Sequence, residues 1–192
     1  LEFRRVLFRS EGKTTLVNDI AKYFDIKSCP EYGRVYMEER HITDTDLTYK
    51  DFDIFLDGQF TYSKAIARTS TNGISISDTD NTVTLMYALA YVEDPNMKIT
   101  IEDYDKLHAH ALRLKDKIKW DHIFIFPPSK KFVDDGCRYM GQASMEEREK
   151  NFIKLQKLVE EFYPEVSKTY LNGSFLDNFN EVKKYINSLI EG

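Results

Sequence analysis

Gly12-Lys13-Thr14-Thr15, at the start of an amphipathic segment, decides the fold of this chain. The tetrapeptide matches the second half of the phosphate-binding pattern G-x-x-x-x-G-K-[ST]. In that pattern the glycine lets the backbone approach phosphate, the lysine reaches the terminal phosphates and the hydroxyl of the next residue ligates Mg²⁺. The start of a helix adds unpaired amides and a positive dipole end. We therefore predict that Gly12, Lys13, Thr14 and Thr15 bind ATP with Mg²⁺.

The N-terminal segment 1–10 departs from this pattern. Its first glycine would fall at position 7, which is Leu7. The segment mixes three arginines with apolar residues and lacks the apolar centre of an export signal. We interpret 1–10 as an atypical, non-native N-terminus ahead of a single domain over 11–192. It contains no clean apolar strand, so we expect the centre of the sheet to be imperfectly filled.

Hydrophobic periodicity beyond the tetrapeptide predicts alternating helices and strands. Apolar residues that recur three or four positions apart indicate helices over 13–24, 52–66, 82–92, 101–119, 144–162 and 179–189. Short apolar or alternating runs indicate strands over 74–77, 123–126 and 169–171. Pro30 and Gly33 make 29–34 a connecting loop. Strands that alternate with helices predict an α/β fold with a parallel sheet flanked by helices.

Composition limits the classes of function. A length of 192 residues favours one domain, and a net charge of −5 argues against a protein that wraps nucleic acid. Two cysteines are too few for a disulfide framework, which favours a reducing cytoplasm. No apolar stretch approaches the ~20 residues that span a bilayer. We therefore expect no nucleic-acid or membrane partner.

Two further elements suit phosphoryl transfer. Asp78 follows the 74–77 strand, where a carboxylate beside the phosphate loop can hold Mg²⁺ through water or accept a proton. Basic residues then surround a glycine in the segment 127–150, and we interpret this segment as a lid whose arginines neutralise the transferring phosphoryl group. The basic residues are Lys130, Lys131, Arg138 and Arg148.

Taken in order, these motifs resemble the NadR-type ribosylnicotinamide kinase family of P-loop proteins. The motifs that carry the resemblance are Gly12-Lys13-Thr14-Thr15, Pro30-Glu31-Tyr32-Gly33-Arg34, Gln59, Asp78-Thr79-Asp80, Asp134-Asp135-Gly136-Cys137-Arg138 and Arg148. The resemblance implies a nucleoside-kinase-like P-loop NTPase domain that transfers the γ-phosphoryl group of ATP to the ribose 5′-hydroxyl of nicotinamide riboside.

The same resemblance implies roles for individual residues. Lys13, Asp78 and Arg138 would be catalytic, and Thr14 with Asp78 would hold Mg²⁺. Four residues would lie near the acceptor: Glu31, Tyr32, Arg34 and Gln59. The nucleotide would also contact Arg138, Arg148 and Gly173.

Two alternatives remain open from the residues alone. A regulatory module could bind ATP or GTP and a small ligand without transferring phosphate. A kinase of the same design could also act on a different nucleoside, since acceptor choice depends on the loops around Glu31 and Gln59.

Overall fold

A five-stranded parallel sheet forms the centre of the protein. The computed structural model describes residues 4–9, 13–70, 73–128 and 144–191. The strands follow the order β2-β3-β1-β4-β5, and every neighbouring pair is parallel. Their bounds are β1 Arg4–Arg9, β2 Lys27–Cys29, β3 Ile74–Ser77, β4 His122–Ile125 and β5 Ser167–Tyr170.

Helices cover both faces of this sheet. They are α1 Lys13–Phe24, α2 Tyr32–Arg40, α3 Tyr49–Arg68, α4 Asn81–Val92, α5 Ile101–Lys115, α6 Met145–Phe162 and α7 Phe175–Glu191, with a 3₁₀ turn over Asp44–Asp46. One apolar cluster packs α1 and α7 against one face of the sheet. A larger cluster packs helices α2 through α6 against the other face. The predicted α/β class with a parallel sheet is confirmed. No described helix has the length and apolar character needed to cross a membrane.

Strand β4 illustrates why the sheet is buried on both faces. Ile123 and Ile125 belong to the larger cluster, while Phe124 belongs to the cluster under α1 and α7. A continuous apolar run is what a parallel strand between two helical layers requires. This run made β4 predictable from sequence.

Two sequence-based expectations are wrong. The stretch 29–34 is not one loop, because β2 ends at Cys29 and α2 begins at Tyr32. The centre of the sheet is not imperfectly filled, since the backbone of β1 pairs with β3 on one side and β4 on the other. Backbone pairing on both edges specifies a central strand even where its own sequence lacks a clean apolar pattern.

Candidate active site

Lys13 and Asp78 form the centre of the site. Lys13 is the first residue of α1, and Asp78 directly follows β3, the neighbour of β1 in the sheet. Both side chains are buried, and Lys13 Nζ lies 3.4 Å from Asp78 Oδ1. The Thr14 hydroxyl donates a 2.7 Å hydrogen bond to Asp78 Oδ2. Two sequence-distant motifs, predicted to act together, therefore meet at the carboxyl edge of the sheet.

The same residues have the chemistry of a Mg²⁺ site. Thr14 and Asp78 offer a hydroxyl and a carboxylate, the hard oxygen ligands that Mg²⁺ prefers. Within the described part of the chain, Asp78 Oδ1 accepts no hydrogen bond although it is buried. The Lys13 ammonium lies 3.4 Å from this oxygen, whose lone pairs can also serve a cation or its water. The residues present therefore fit the predicted magnesium ion.

Glu31 brings a second carboxylate to Lys13. Its Oε2 lies 3.7 Å from Lys13 Nζ, and its side chain keeps 24% of its surface exposed. It occupies the two-residue connection between β2 and α2, at the same sheet edge as Asp78. One ammonium group thus lies beside two carboxylates, one buried and one partly open to solvent.

A pocket with aromatic walls opens beside Glu31. It holds about 610 Å³ of empty space, counting its open mouth, and we call it the aromatic pocket. Its lining includes five aromatic or acidic residues besides Glu31: Asp44, Phe52, Phe55, Tyr87 and Tyr91. A flat ring fits such walls because aromatic faces stack or meet edge to face.

A second pocket lies over Lys13 and reaches α6. Its lining includes Lys13, Pro128, Arg148 and Asn151, and we call it the Lys13 pocket. Arg148 is in the first turn of α6 and is only 7% exposed, so it is a buried helix residue at this site. The two pockets share Glu31, Val83 and Tyr87. Two compartments therefore meet at Glu31.

The predicted acceptor residues separate into two groups. Glu31, Arg34 and Gln59 line the aromatic pocket, but Tyr32 does not. The Tyr32 ring packs edge-on against Tyr62 at 5.0 Å between centroids. Three of the four predicted residues therefore line this pocket, and their role at the acceptor stays a prediction.

The remaining predicted nucleotide residues are more dispersed. Thr15 is exposed in the first turn of α1. Gly173 is exposed before α7, and its N–H donates to Asn178 Oδ1 over 3.1 Å. Gly12, Arg138 and most of the predicted lid at 127–150 lie outside the described residues.

Asp44 and the aromatic lining of the pocket were missed by sequence reasoning. Asp44 is 7% exposed and lies in the 3₁₀ turn. Its surroundings, Thr43-Asp44-Thr45-Asp46, have the composition of a solvated turn, so the sequence gives no sign of burial. Phe52 and Phe55 lie in the helix predicted over 52–66, and apolar periodicity does not distinguish a residue that packs in the core from one that lines a ligand pocket.

Two other polar side chains near the site, those of Asp80 and Cys29, have hydrogen-bond partners within the protein. Asp80 caps α4: its Oδ1 accepts from the Thr82 amide at 2.7 Å and its Oδ2 accepts from Tyr163 at 2.5 Å. Burial raises the pKa of the Cys29 thiol, which keeps it neutral, and hydrogen bonds from neighbouring side chains oppose the shift only in part. The Cys29 carbonyl accepts the Asp78 amide at 2.9 Å, tying the ends of β2 and β3 together.

Comparison with known proteins agrees with this geometry. The profile of the AAA domain matches residues 9–174. The chain belongs to the AAA domain family. This AAA domain is 27% identical over 165 residues to the trifunctional NAD biosynthesis/regulator protein NadR of Escherichia coli K12, a match that covers 80% of this chain and 37% of that protein.

Solved structures support the same relationship. A NadR protein in complex with NR superposes with a TM-score of 0.80 at 27% identity, covering 95% of this chain and 52% of that one. A NadR protein in complex with NAD and AMP-PNP gives 0.78 at 22% identity, covering 99% and 50%. This AAA domain therefore has the P-loop nucleoside-kinase-like fold, and the predicted resemblance to the NadR-type family is confirmed. It spans 37% of the Escherichia coli NadR protein and about half of each of these two NadR chains.

Proposed function

We propose that this AAA domain is an ATP-dependent kinase that phosphorylates nicotinamide riboside at its ribose 5′-hydroxyl. The observation that carries the proposal is the junction of the two pockets at Glu31, beside Lys13 and Asp78. A phosphoryl transfer needs donor and acceptor in line, with the charge of the transferring group stabilised between them. The Lys13 pocket would hold the terminal phosphates, and the aromatic pocket would hold the acceptor.

Lys13 has the charge and position for the transferring group. Its ammonium is held between Asp78 and Glu31 at 3.4 and 3.7 Å, so it is preorganised at the pocket junction. Preorganised positive charge in a buried site stabilises a developing oxyanion without reorganisation at the moment of reaction. Thr14 and Asp78 would hold Mg²⁺, which neutralises phosphate charge when bound. Arg148 adds a second buried cation on the α6 side.

Glu31 is better situated than Asp78 to take the hydroxyl proton. Asp78 is 4% exposed and already accepts the Thr14 hydroxyl, which suits a ligand-holding role. Glu31 lines both pockets, whereas Asp44 lines only the aromatic pocket and Asp78 is in the lining of neither. A general base must reach the proton that it abstracts in a plausible substrate pose. We therefore assign Mg²⁺ binding to Asp78 and proton acceptance to Glu31.

The aromatic pocket suits the nicotinamide group in shape and in charge. The nicotinamide ring of the riboside is a flat pyridinium cation. Phe52, Phe55 and Tyr87 offer aromatic faces, and a cation over such a face gains about 0.5–2 kcal/mol. Glu31 and Asp44 bring two carboxylates to the same lining and Arg34 brings one guanidinium, so the ionisable groups of the lining carry a net negative charge. These features favour a cationic ring over the neutral base of an ordinary nucleoside.

The test is a coupled ADP-release assay with ATP, Mg²⁺ and a panel of nicotinamide riboside, its neutral dihydro form, adenosine and cytidine. We expect ADP formation that depends on the acceptor and is fastest with the cationic riboside. Lys13→Ala should lower kcat/KM by about 10²–10³-fold, the scale for loss of one charge-stabilising donor. Glu31→Gln should lower kcat more than it raises the acceptor KM, because the proton acceptor is lost whereas Asp44 and the aromatic walls still bind the acceptor.

The regulatory-module alternative gives a different result in the same assay. It predicts saturable ATP binding with no ADP formation above background for any acceptor. Preference for a neutral nucleoside would retain the kinase and reject nicotinamide riboside. Normal turnover by a folded Lys13→Ala variant would reject the assignment of the phosphate site.

A further inference from the structure

The Gln59 carboxamide, on α3, links the two loops that carry the site's carboxylates. Gln59 is 2% exposed. Its Oε1 accepts the Tyr32 amide hydrogen at 2.8 Å, and its Nε2 donates to Pro30 O at 3.2 Å and Thr79 O at 3.3 Å. The amide orientation follows from the partners, because a backbone N–H can only donate and a backbone carbonyl can only accept.

These contacts bracket Glu31. Pro30 and Tyr32 are its two chain neighbours, so one side chain holds the peptide groups before and after the candidate base. The third contact reaches Thr79, the residue after Asp78. Gln59 therefore fixes the backbone beside both carboxylates that flank Lys13.

This network leaves Gln59 little capacity to bind an acceptor. An amide nitrogen has two hydrogens, and here they face two backbone carbonyls with the Cys29 sulfur 3.4 Å away. A hydrogen bond from Nε2 to a substrate would require one of these bonds to break in a buried setting, at the cost of an unsatisfied polar group, and Oε1 keeps one lone pair beyond its bond to the Tyr32 amide. The resemblance implied a role at the acceptor, and the contacts indicate a different one.

We propose that Gln59 is a positioning residue that sets Glu31 and Asp78 around Lys13, rather than a residue that binds the acceptor. The proposal rests on the proposed kinase function for its catalytic consequence. Its geometric part is that Gln59 connects residues 30–32 to residue 79 through hydrogen bonds. This part can be tested without an activity assay.

The experiment compares wild type with Gln59→Leu, Gln59→Glu and a matched control, Ser63→Ala. Leucine keeps most of the volume and removes every hydrogen bond, whereas glutamate keeps an acceptor for the Tyr32 amide and loses the donor to Pro30 and Thr79. Ser63 is the control because it is also buried and polar on α3, one turn later, and contacts Cys29 Sγ at 3.6 Å. Each protein is assayed for kcat, for the KM of the acceptor and for melting temperature.

We expect Gln59→Leu and Gln59→Glu to lower kcat by about 10- to 100-fold, the scale for a displaced reacting group. The acceptor KM should stay within about threefold, because uniform binding is retained. Ser63→Ala should change neither constant. A rise in acceptor KM with kcat preserved would overturn the proposal in favour of direct substrate binding. A lower melting temperature with both constants preserved would overturn it in favour of a purely structural role.

Hydrogen exchange at the Tyr32 amide provides the readout that does not need activity. It should become faster in Gln59→Leu than in wild type, and stay slow in Gln59→Glu and Ser63→Ala. If wild type forms no acceptor-dependent ADP, the kinase function and the catalytic effect of Gln59 are both rejected. Hydrogen exchange at the Tyr32 amide still decides whether Gln59 connects the two loops. Unchanged exchange in folded Gln59→Leu would overturn that connection itself. Were Gln59→Leu not to fold, kcat and KM of Gln59→Glu would decide the proposal in the same way.

Discussion

The Thr14 hydroxyl donates a 2.7 Å hydrogen bond to Asp78 Oδ2, joining the first turn of α1 to the end of β3. Lys13 Nζ lies 3.4 Å from the other oxygen of the same carboxylate. The first two residues of α1 are thus both organised by one buried acid. Parallel strands β1 and β3 make this possible, because their carboxyl ends share one edge of the sheet.

Asp78→Asn should separate nucleotide binding from turnover. The amide keeps the size of the side chain and removes its negative charge, which weakens Mg²⁺ binding far more than phosphate binding by Lys13. We expect kcat to fall by about 10²-fold or more, on the scale of a lost electrostatic group. ATP titration without Mg²⁺ should give near-normal affinity, and the Mg²⁺-dependent gain in affinity should shrink. A variant with wild-type turnover would move the metal-holding role to another residue.

Gly58→Ala should destabilise the protein, opposite to the usual helix effect. Within an exposed helix this change gains about 1 kcal/mol from propensity. Here a Cβ on Gly58 would overlap the ring of Tyr32, so α2 or the ring must move. Thermal or urea unfolding of Gly58→Ala measures the sign. The double variant with Tyr32→Ala should be more stable than the sum of the two single effects predicts, because the overlap is gone. An additive double variant would contradict the proposed steric cause.

His122 should make stability depend on pH near neutrality. Burial lowers its pKa below the ordinary value of 6.5, with Glu181 opposing the shift. Its Nε2 lies 2.9 Å from Thr169 Oγ1, and its ring packs 4.4 Å from that of Tyr185. Because the unfolded chain takes up the proton at higher pH than the folded one, the free energy of unfolding falls as pH drops through 6.5. Below the native pKa this contribution levels off.

Urea unfolding between about pH 5 and pH 8 provides the measurement. In His122→Gln the part of the pH dependence that lies below pH 6.5 and stems from this lowered pKa should disappear. His108→Gln is the matched control, since His108 is more exposed than His122 and lies 2.9 Å from Glu161. Equal pH profiles for wild type and His122→Gln would show that another group titrates.

Several parts of the fold followed directly from sequence patterns. The continuous apolar run of β4 is a local signal that the tertiary structure retains. So is the helix predicted from residue 144, where the Ser144 hydroxyl accepts the Glu147 amide at 3.2 Å. Strand β2 is three residues long, too short to show a periodicity. Without it the start of α2 at Tyr32 was hidden inside a segment that contains proline and glycine.

The sequence patterns predicted which residues meet at the site better than they predicted what each residue does there. Lys13, Thr14 and Asp78 were correctly expected to meet, because a motif at a helix start and an acid at a strand end have fixed places in a parallel sheet. The role of Gln59 depends on which backbone groups approach it from β2 and β3, and only tertiary contacts reveal these. The burial of Asp44 is likewise invisible in a polar turn sequence.

Leu7 leads to the last prediction. In the phosphate-binding pattern a glycine at this position allows the turn that brings backbone amides to phosphate. In this chain position 7 lies within β1, where its backbone pairs with Ser77 and Ile123, and β1 continues to Arg9 before α1 begins at Lys13. Fewer residues therefore lie between the strand and the helix than if the strand ended at position 7, as the phosphate-binding pattern requires.

We propose that replacing residues 1–10 by a β-branched strand that leads into a glycine at position 7 will raise ATP affinity and melting temperature. The β-branched residues favour the extended backbone of a central strand. The glycine frees residues after position 7 for phosphate contacts. Single substitution Leu7→Gly is the matched control: it weakens a strand interior without supplying a better strand, so it should lower the melting temperature. ATP titration and thermal unfolding of the three proteins decide the matter. Equal affinity and equal stability across them would mean that residues 1–10 already form a competent strand and loop, and the non-native interpretation of this segment would be wrong.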